Sequence, residues 1–442
     1  MADARPSLLH LALLSLLLGA TRPALANGAF PDEFSLHFPP DAPNRILIGA
    51  NFGLLVSEDD GASWRYACEP WIVAGSNAAL ANNSVSFYQV TLDGAYLATS
   101  VNLTRSSDVA CTWPISTGAV LGQRVADIFV DPNDASFVLA IVVLLNPTNV
   151  TSYLVASHDG GKTFDPEHLY ETPDLLTGVE IAHAKAGVVY ATSISLSGGP
   201  AHFLFSPDRG ATWTATAIPL PSATEPRILS VDPADERKVY LRIVGAVSDS
   251  MMVTEDSGQS IETILPPIGT ALSAFLRAGD GTLYAGTRTG QLYVLPPGAQ
   301  QFAQRGAPHL RCLGQRPGSS RIYACTDIVT DGYSLAASDD DGQTFQRVMS
   351  FRDLLGPLSC SPVQTNCAAH WQRIQGVLGI GDAGTDAGSG PSGPPDGGAT
   401  QPTSPQPAKS SGCSSAGAAV VPIVALLALL SLGVLGRSPR QR

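Results

Sequence analysis

The chain has 442 residues, with 38 Asp and Glu against 26 Lys and Arg, for a formal net charge of −12. That balance excludes a nucleic-acid binder, which needs basic patches to neutralise phosphate, and it disfavours docking on an anionic membrane surface. Only 14% of residues are charged while 43 glycines and 34 prolines punctuate the chain, a composition that fits an extracellular β protein of short strands and turns.

Residues 1–26 carry Arg5, an apolar run over 8–18 and the small-residue end Ala24-Leu25-Ala26. This is the grammar of a secretory signal peptide cut before Asn27. The run is too short for a membrane span, which needs ~20 apolar residues. Export makes the seven cysteines disulfide candidates.

From residue 34 onward the pattern is β-like, and one eight-residue stretch recurs. Ser-x-Asp-x-Gly-x-Ser/Thr-aromatic occurs at 57–64, 157–164, 206–213 and 338–345, with weaker copies at 106–113, where Ala110 replaces the glycine, and at 254–261. The starts are spaced 49, 51, 49, 48 and 84 residues apart, and the wide gap leaves room for one decayed copy near 294–301. A period near fifty means a repeat architecture in which no unit can bury its apolar face alone. The recurring positions are Asp59, Gly61 and Trp64; Asp108 and Trp113; Asp159, Gly161 and Phe164; Asp208, Gly210 and Trp213; Asp256 and Gly258; and Asp340, Gly342 and Phe345. They suit a tight hairpin end: the Asp accepts turn amides, the Gly takes positive φ, and the aromatic starts the next strand.

This motif resembles the Asp-box, or bacterial neuraminidase repeat, over residues 34–349. The resemblance implies a β-propeller whose boxes are structural, each lying between the third and fourth strands of a blade, on the face away from any active site. It embraces sialidases, sortilin-type and photosystem-assembly-factor-type propellers, and the fold alone does not separate their functions.

Seven second strands are readable, at 45–50, 94–100, 136–142, 187–192, 237–244, 281–287 and 321–326. The predicted fold class is therefore all-β, a seven-bladed propeller over 27–353, within the usual ~4 to 8 blades. Residues 34–38 form either the first strand of blade one or a strand completing blade seven. The longer links, 68–84, 116–124, 144–151, 166–176 and 195–201, are assigned to the face opposite the boxes, where a rigid scaffold carries function. Trp71 and Tyr170 are the aromatics to watch there, as binding or as packing residues.

Cys312 and Cys325 fall on adjacent strands of blade seven and can face each other. Cys360 and Cys367 are expected to close a short loop in an extension over 354–380, which leaves Cys68 with Cys111. No Cys-x-x-Cys or His-x-x-x-His spacing supports a metal site. Asp339-Asp340-Asp341-Gly342 fails as an EF-hand, because Ala337 and Val348 stand where the first and twelfth ligands belong.

Residues 381–412 are Gly, Pro, Ser, Thr, Ala and Asp with few large apolar side chains, and so read as a flexible linker. The tail, 413–442, begins at Cys413, continues with an apolar stretch over 416–436 and ends with Arg437, Arg440 and Arg442. It has the length and the positive-inside flank of a transmembrane span. It also resembles the C-terminal sorting signal of myxobacterial surface proteins, which implies that Cys413 is recognised and the span removed by a membrane protease. A simple anchor is the other reading. Either way the propeller is exported to the cell surface or outer envelope.

A glycosidase on this scaffold would need an arginine cluster with a Tyr nucleophile and acidic partner, or a carboxylate pair. Arg45-Ile46-Leu47 and Arg227-Ile228-Leu229 come nearest to the family's Arg-Ile-Pro, and both lack the proline. Neither Gly-x-Ser-x-Gly nor His-Glu-x-x-His occurs. No catalytic residue, cofactor or metal ligand is assigned. The expected function is a binding, adhesion or scaffold module for a protein or polysaccharide on the loop face; the alternatives are a divergent, sialidase-like exo-glycosidase of the cell envelope and an assembly factor.

Overall fold

The computed structural model describes residues 33–380 apart from 75–84, 86, 146–148 and 222–223. The expected signal segment, the linker and the tail with Cys413 lie outside the described residues. Among the described residues no helix is long and apolar enough to cross a membrane.

Seven antiparallel sheets follow one another along the chain, and each is one blade. Blade one is Glu33–His37, Ile46–Ala50, Gly53–Ser57 and Trp64–Cys68, so residues 34–37 belong to its first strand, with Phe38 just past its end. Blade two is Phe87–Val90, Tyr96–Thr99 and Leu103–Ser106, with a short edge at Ile115 bridged to Thr104 that continues into Thr117–Gly118, paired in parallel with Thr163–Phe164. Blade three is Arg124–Val130, Val138–Leu145, Val150–Ser157 and Tyr170–Thr172. Blade four is Leu175–Ile181, Val189–Ile194, Ala201–Ser206 and Thr214–Ile218. Blade five is Glu225–Val231, Val239–Val244, Ser250–Thr254 and Glu262–Leu265. Blade six is Leu272–Arg277, Leu283–Thr287, Gln291–Leu295 and Ala303–Gly306. Blade seven is Leu310–Gln315, Ile322–Thr326, Leu335–Ser338 and Gln346–Met349. The second strands are the apolar ones because they are buried on both faces, between neighbouring blades; Ile46–Ala50 and Ile322–Thr326 are buried at every position.

Each box turn is built the same way. The Ser57 hydroxyl donates to Asp59 at 2.8 Å and accepts the Gly61 amide at 2.8 Å, while Asp59 also accepts the Ser63 amide at 2.8 Å. The Trp64 indole N–H closes on the Gly61 carbonyl at 3.0 Å. The serine or threonine two residues before the aspartate repeats its part at Asp108, Asp159, Asp208, Asp256 and Asp340. Hydroxyl and amide donors hold the Asp256 and Asp340 carboxyls at about 2, with the Ser260 and Thr344 hydroxyls leading.

The turns also lock blade to blade. A methyl group on Gly161 would lie 2.9 Å from Leu97, on Gly210 3.0 Å from Leu169, on Gly342 3.0 Å from Leu292 and on Gly61 3.2 Å from Val348, in each case a side chain of the preceding blade. The residue before the glycine reaches the same way: Arg209 pairs with Asp131 and Asp134, and Asp60 with Arg316. At the seam between blades seven and one, Phe38 packs on Tyr323 with ring centroids 5.2 Å apart, and Arg316 lies over the Phe38 ring.

After Met349 the chain does not end as a short disulfide-closed loop. A 3-10 turn, Phe351–Asp353, leads to a strand, Leu354–Pro357, that runs parallel to Trp64–Cys68 as a fifth strand of blade one. An eighteen-residue helix, Ser361–Leu378, follows. Pro362 opens this helix, Gly379 closes it in the left-handed conformation, and Val363, Cys367, Ile374 and Leu378 bury one face.

The helix corrects two disulfides. Cys360, its N-cap, and Cys367 are seven residues apart, ~10 Å along the axis, and cannot pair. Instead Cys68 bonds Cys367 and Cys111 bonds Cys360, while Cys312 pairs with Cys325 across adjacent strands as expected. The terminal segment is therefore a strap from blade seven across blade one to blade two.

Candidate functional site

In each blade the turns between first and second strands, and between third and fourth where the boxes fall, lie at one end; the links between blades, and from second to third strands, lie at the other. Hydrogen bonding shapes the second set individually. Asp249 gathers the Gly245 and Leu272 amides and the Arg242 guanidinium, and so holds the second-to-third link of blade five with Val247 at its tip. Asp327 caps the short helix Ile328–Asp331 in the corresponding link of blade seven. The Asn102 side chain accepts the Gly122 amide at 2.7 Å, which sets the turn carrying Val101 beside the loop carrying Leu121.

The consequence is an uneven distribution of apolar surface. Among the described residues nine large hydrophobics are exposed, and six of them, Phe87, Val101, Leu121, Leu145, Val247 and Val329, stand at the link end. Only Leu92 is exposed at the box end, and Leu355 and Val377 are on the strap.

The first strands, nearest the axis, carry a second cluster. Asp127 of blade three accepts the Val179 amide of blade four at 3.0 Å, and Glu180 of blade four accepts the Val231 amide of blade five at 2.8 Å. Burial, outweighing these bonds, raises the Asp127 carboxyl to about 7 and that of Glu180 to about 8; the Asp127 charge adds to the rise at Glu180, while the Arg227 guanidinium limits that at Asp127. A carboxyl that keeps its proton near neutrality can serve as an acid. Here its oxygens are aimed at backbone amides of the next blade, which makes it a rivet in the ring. Thr177 and Ser273 do the same with hydroxyl donors, each 2.6 Å from a carbonyl oxygen one blade on. Three of the four arginines of these strands are held by carboxylates: Arg227 by Glu225, Arg277 by Asp232 and Arg311 by Asp327.

The residues singled out from sequence fall in different places. Trp71 is on a short helix, Glu69–Ala74, packed between blades one and two, and donates to the Cys111 carbonyl at 3.0 Å. Tyr170 packs on Trp213 at the outer edge of blades three and four. Neither projects from the link end as a binding aromatic. Arg45 lies at the box end against Glu58 and the Tyr96 hydroxyl. The box residues remain at the face opposite the links, and among the described residues no three His, Cys, Asp or Glu side chains converge as a metal site. Sequence reading missed Asp127 and Glu180. Their signal was a lone acid inside a mostly apolar first strand, in Arg-Val-Ala-Asp-Ile-Phe-Val and Leu-Thr-Gly-Val-Glu-Ile.

No family model matches the chain, and no curated protein matches it. Solved structures do. YCF48 from Cyanidioschyzon merolae is 14% identical, with 68% of this chain and 94% of that one covered, at a TM-score of 0.48. Prolyl oligopeptidase B from Galerina marginata is 11% identical, with 77% of this chain and 55% of that one covered, at a TM-score of 0.52. A Hadza microbial sialidase is 15% identical, with 64% and 71% covered and a TM-score of 0.42. At these identities the likeness is one of fold.

Proposed function

We propose that this chain is an exported Asp-box propeller, displayed at the cell surface, that binds a protein or polysaccharide partner through its link end as an adhesion or scaffold module. The observation that carries this is the placement of six of nine exposed large hydrophobics at that end. Disulfides, here three, belong to an oxidising compartment, in keeping with export. In this reading residues 1–26 are the signal peptide, 381–412 the spacer, and 413–442 a sorting tail that a membrane protease removes at Cys413. Recovery of peptides from 420–442 in the surface pool would replace processing with a permanent anchor.

The test is adhesion of purified protein to surface polysaccharide and envelope-protein fractions. Leu121→Glu with Val247→Glu should abolish it, and Leu92→Glu at the box end should not. Equal loss from both, with melting unchanged, would reject the link end as the binding surface. A divergent exo-glycosidase is the second reading, favoured only by the proton-retaining pair Asp127 and Glu180. It predicts hydrolysis of a fluorogenic glycoside that Asp127→Asn removes, whereas the binding reading predicts none.

A further inference from the structure

Blade six alone has no box. Its third-to-fourth turn reads Pro296-Pro297-Gly298-Ala299-Gln300-Gln301, and although Gly298 is left-handed like the box glycines, at φ 78°, nothing lies within 4 Å of where its side chain would be. The box glycines of blades one, three, four, five and seven all press against the preceding blade. Where that plug is missing, a notch of about 350 Å³ opens between blades five and six. This is within the ~300 to 1,000 Å³ of small ligand sites.

The notch is apolar below and acidic at the rim. Tyr240, Val253 and Leu283 form its floor, each less than a tenth exposed, and Pro297 is part of its wall. At the rim, the Lys238 ammonium is bound to Glu255 at 2.6 Å and leans over the Tyr240 ring, so its charge is already matched. Glu262 adds a further exposed carboxylate. On the other side of the same two prolines a wider cleft toward blade seven, of about 740 Å³, carries Asp280 and Asp341, with Arg305 bonded to the Asp341 carbonyl oxygen. Both clefts thus hold two carboxylates to one cation.

We infer that the box-less turn of blade six forms a second binding site, for a peptide segment of a partner protein that presents a bulky apolar residue followed by basic ones. The apolar side chain fills the notch over Tyr240, Val253 and Leu283. The basic residues cross the Pro296-Pro297 ridge to Asp280 and Asp341. Adjacent notches sharing one wall suit an extended peptide, whose residues advance ~3.3 Å each. The net charge of −12 favours the approach of such a segment. This site is on the opposite face from the partner surface proposed above and does not depend on it.

Fluorescence polarisation on the full chain in mild detergent tests it, with labelled Gly-Phe-Arg-Arg-Gly, Gly-Ser-Arg-Arg-Gly and Gly-Phe-Glu-Glu-Gly as probes. The first should bind. Removing its Phe or reversing its charges should each weaken binding by about tenfold or more. Gln300→Trp, which blocks the notch from its rim, and Glu262→Lys should weaken it comparably with unchanged melting, and Leu121→Glu at the link end should leave it intact. Absence of millimolar binding, equal binding of all three probes, or indifference to both Gln300→Trp and Glu262→Lys would overturn the site.

Discussion

The seams from blade three to four and from four to five are made of parts that recur: a box glycine against the preceding blade, a box carboxylate gathering its turn, and a first-strand acceptor reaching one blade on. The sector of blades seven, one and two has box contacts too, and adds parts that occur once. There a fifth strand, a helix and two disulfides spanning 299 and 249 residues strap the end of the ring to its beginning. The difference shows what repetition can and cannot do. Similar seams recur where one blade follows the next along the chain, but the chain passes from blade seven to blade one only through the strap itself. An open seam would leave sheet edges and apolar faces to solvent.

Breaking the strap should therefore have the largest effect. Cys68→Ala with Cys367→Ala should cost about 2 to 5 kcal/mol, because the bridge closes most of the propeller. Thermal melting would show it, and non-reducing peptide maps should link Cys111 to Cys360 in the wild type. A Cys360–Cys367 peptide would restore the short-loop arrangement and undo the strap.

The repeated sector should respond to pH through its rivets. Asp127 and Glu180 have folded-state values raised to about 7 and about 8, so between roughly pH 4 and 8 the ring retains protons that the unfolded chain has released. Their contribution to stability thus falls as pH rises through that window and levels off above it. Asp127→Asn with Glu180→Gln should melt several degrees higher relative to wild type at pH 8 than at pH 5. A difference independent of pH would mean that these carboxyls titrate normally.

One box lost from that sector should do less. Asp159→Ala removes acceptors for the Lys162 and Thr163 amides and the Ser157 hydroxyl, and should cost about 1 to 2 kcal/mol without altering partner affinity per folded molecule. Loss of binding with unchanged melting would give the box a functional role instead. The smallest effect belongs to blade two, where β-branched Val109 sits at φ 57° in the position that Asp60, Arg209, Ser257 and Asp341 occupy in other boxes. Val109→Asn should stabilise by about 0.5 to 1 kcal/mol by relieving that backbone strain, as melting would reveal.

Much of the ring was legible because its rules are local. A Ser-x-Asp-x-Gly turn is completed by atoms at most seven residues apart, and a second strand buried between blades is mostly apolar; all seven were placed from residues alone. The Cys312–Cys325 pair was equally readable, since one short turn joins its two strands. Other features depended on what the closed ring brings together. Cys68 and Cys367 meet only after seven blades have turned full circle, and no spacing along the chain encodes that distance. The helix Ser361–Leu378 reads as a loop until its apolar face has blade one to lie against. Asp127 and Glu180 become unusual only when the next blade supplies an amide and removes water. The notch beside blade six is the converse case: a decayed motif is visible in the residues, but the space it leaves exists only because five other turns fill theirs.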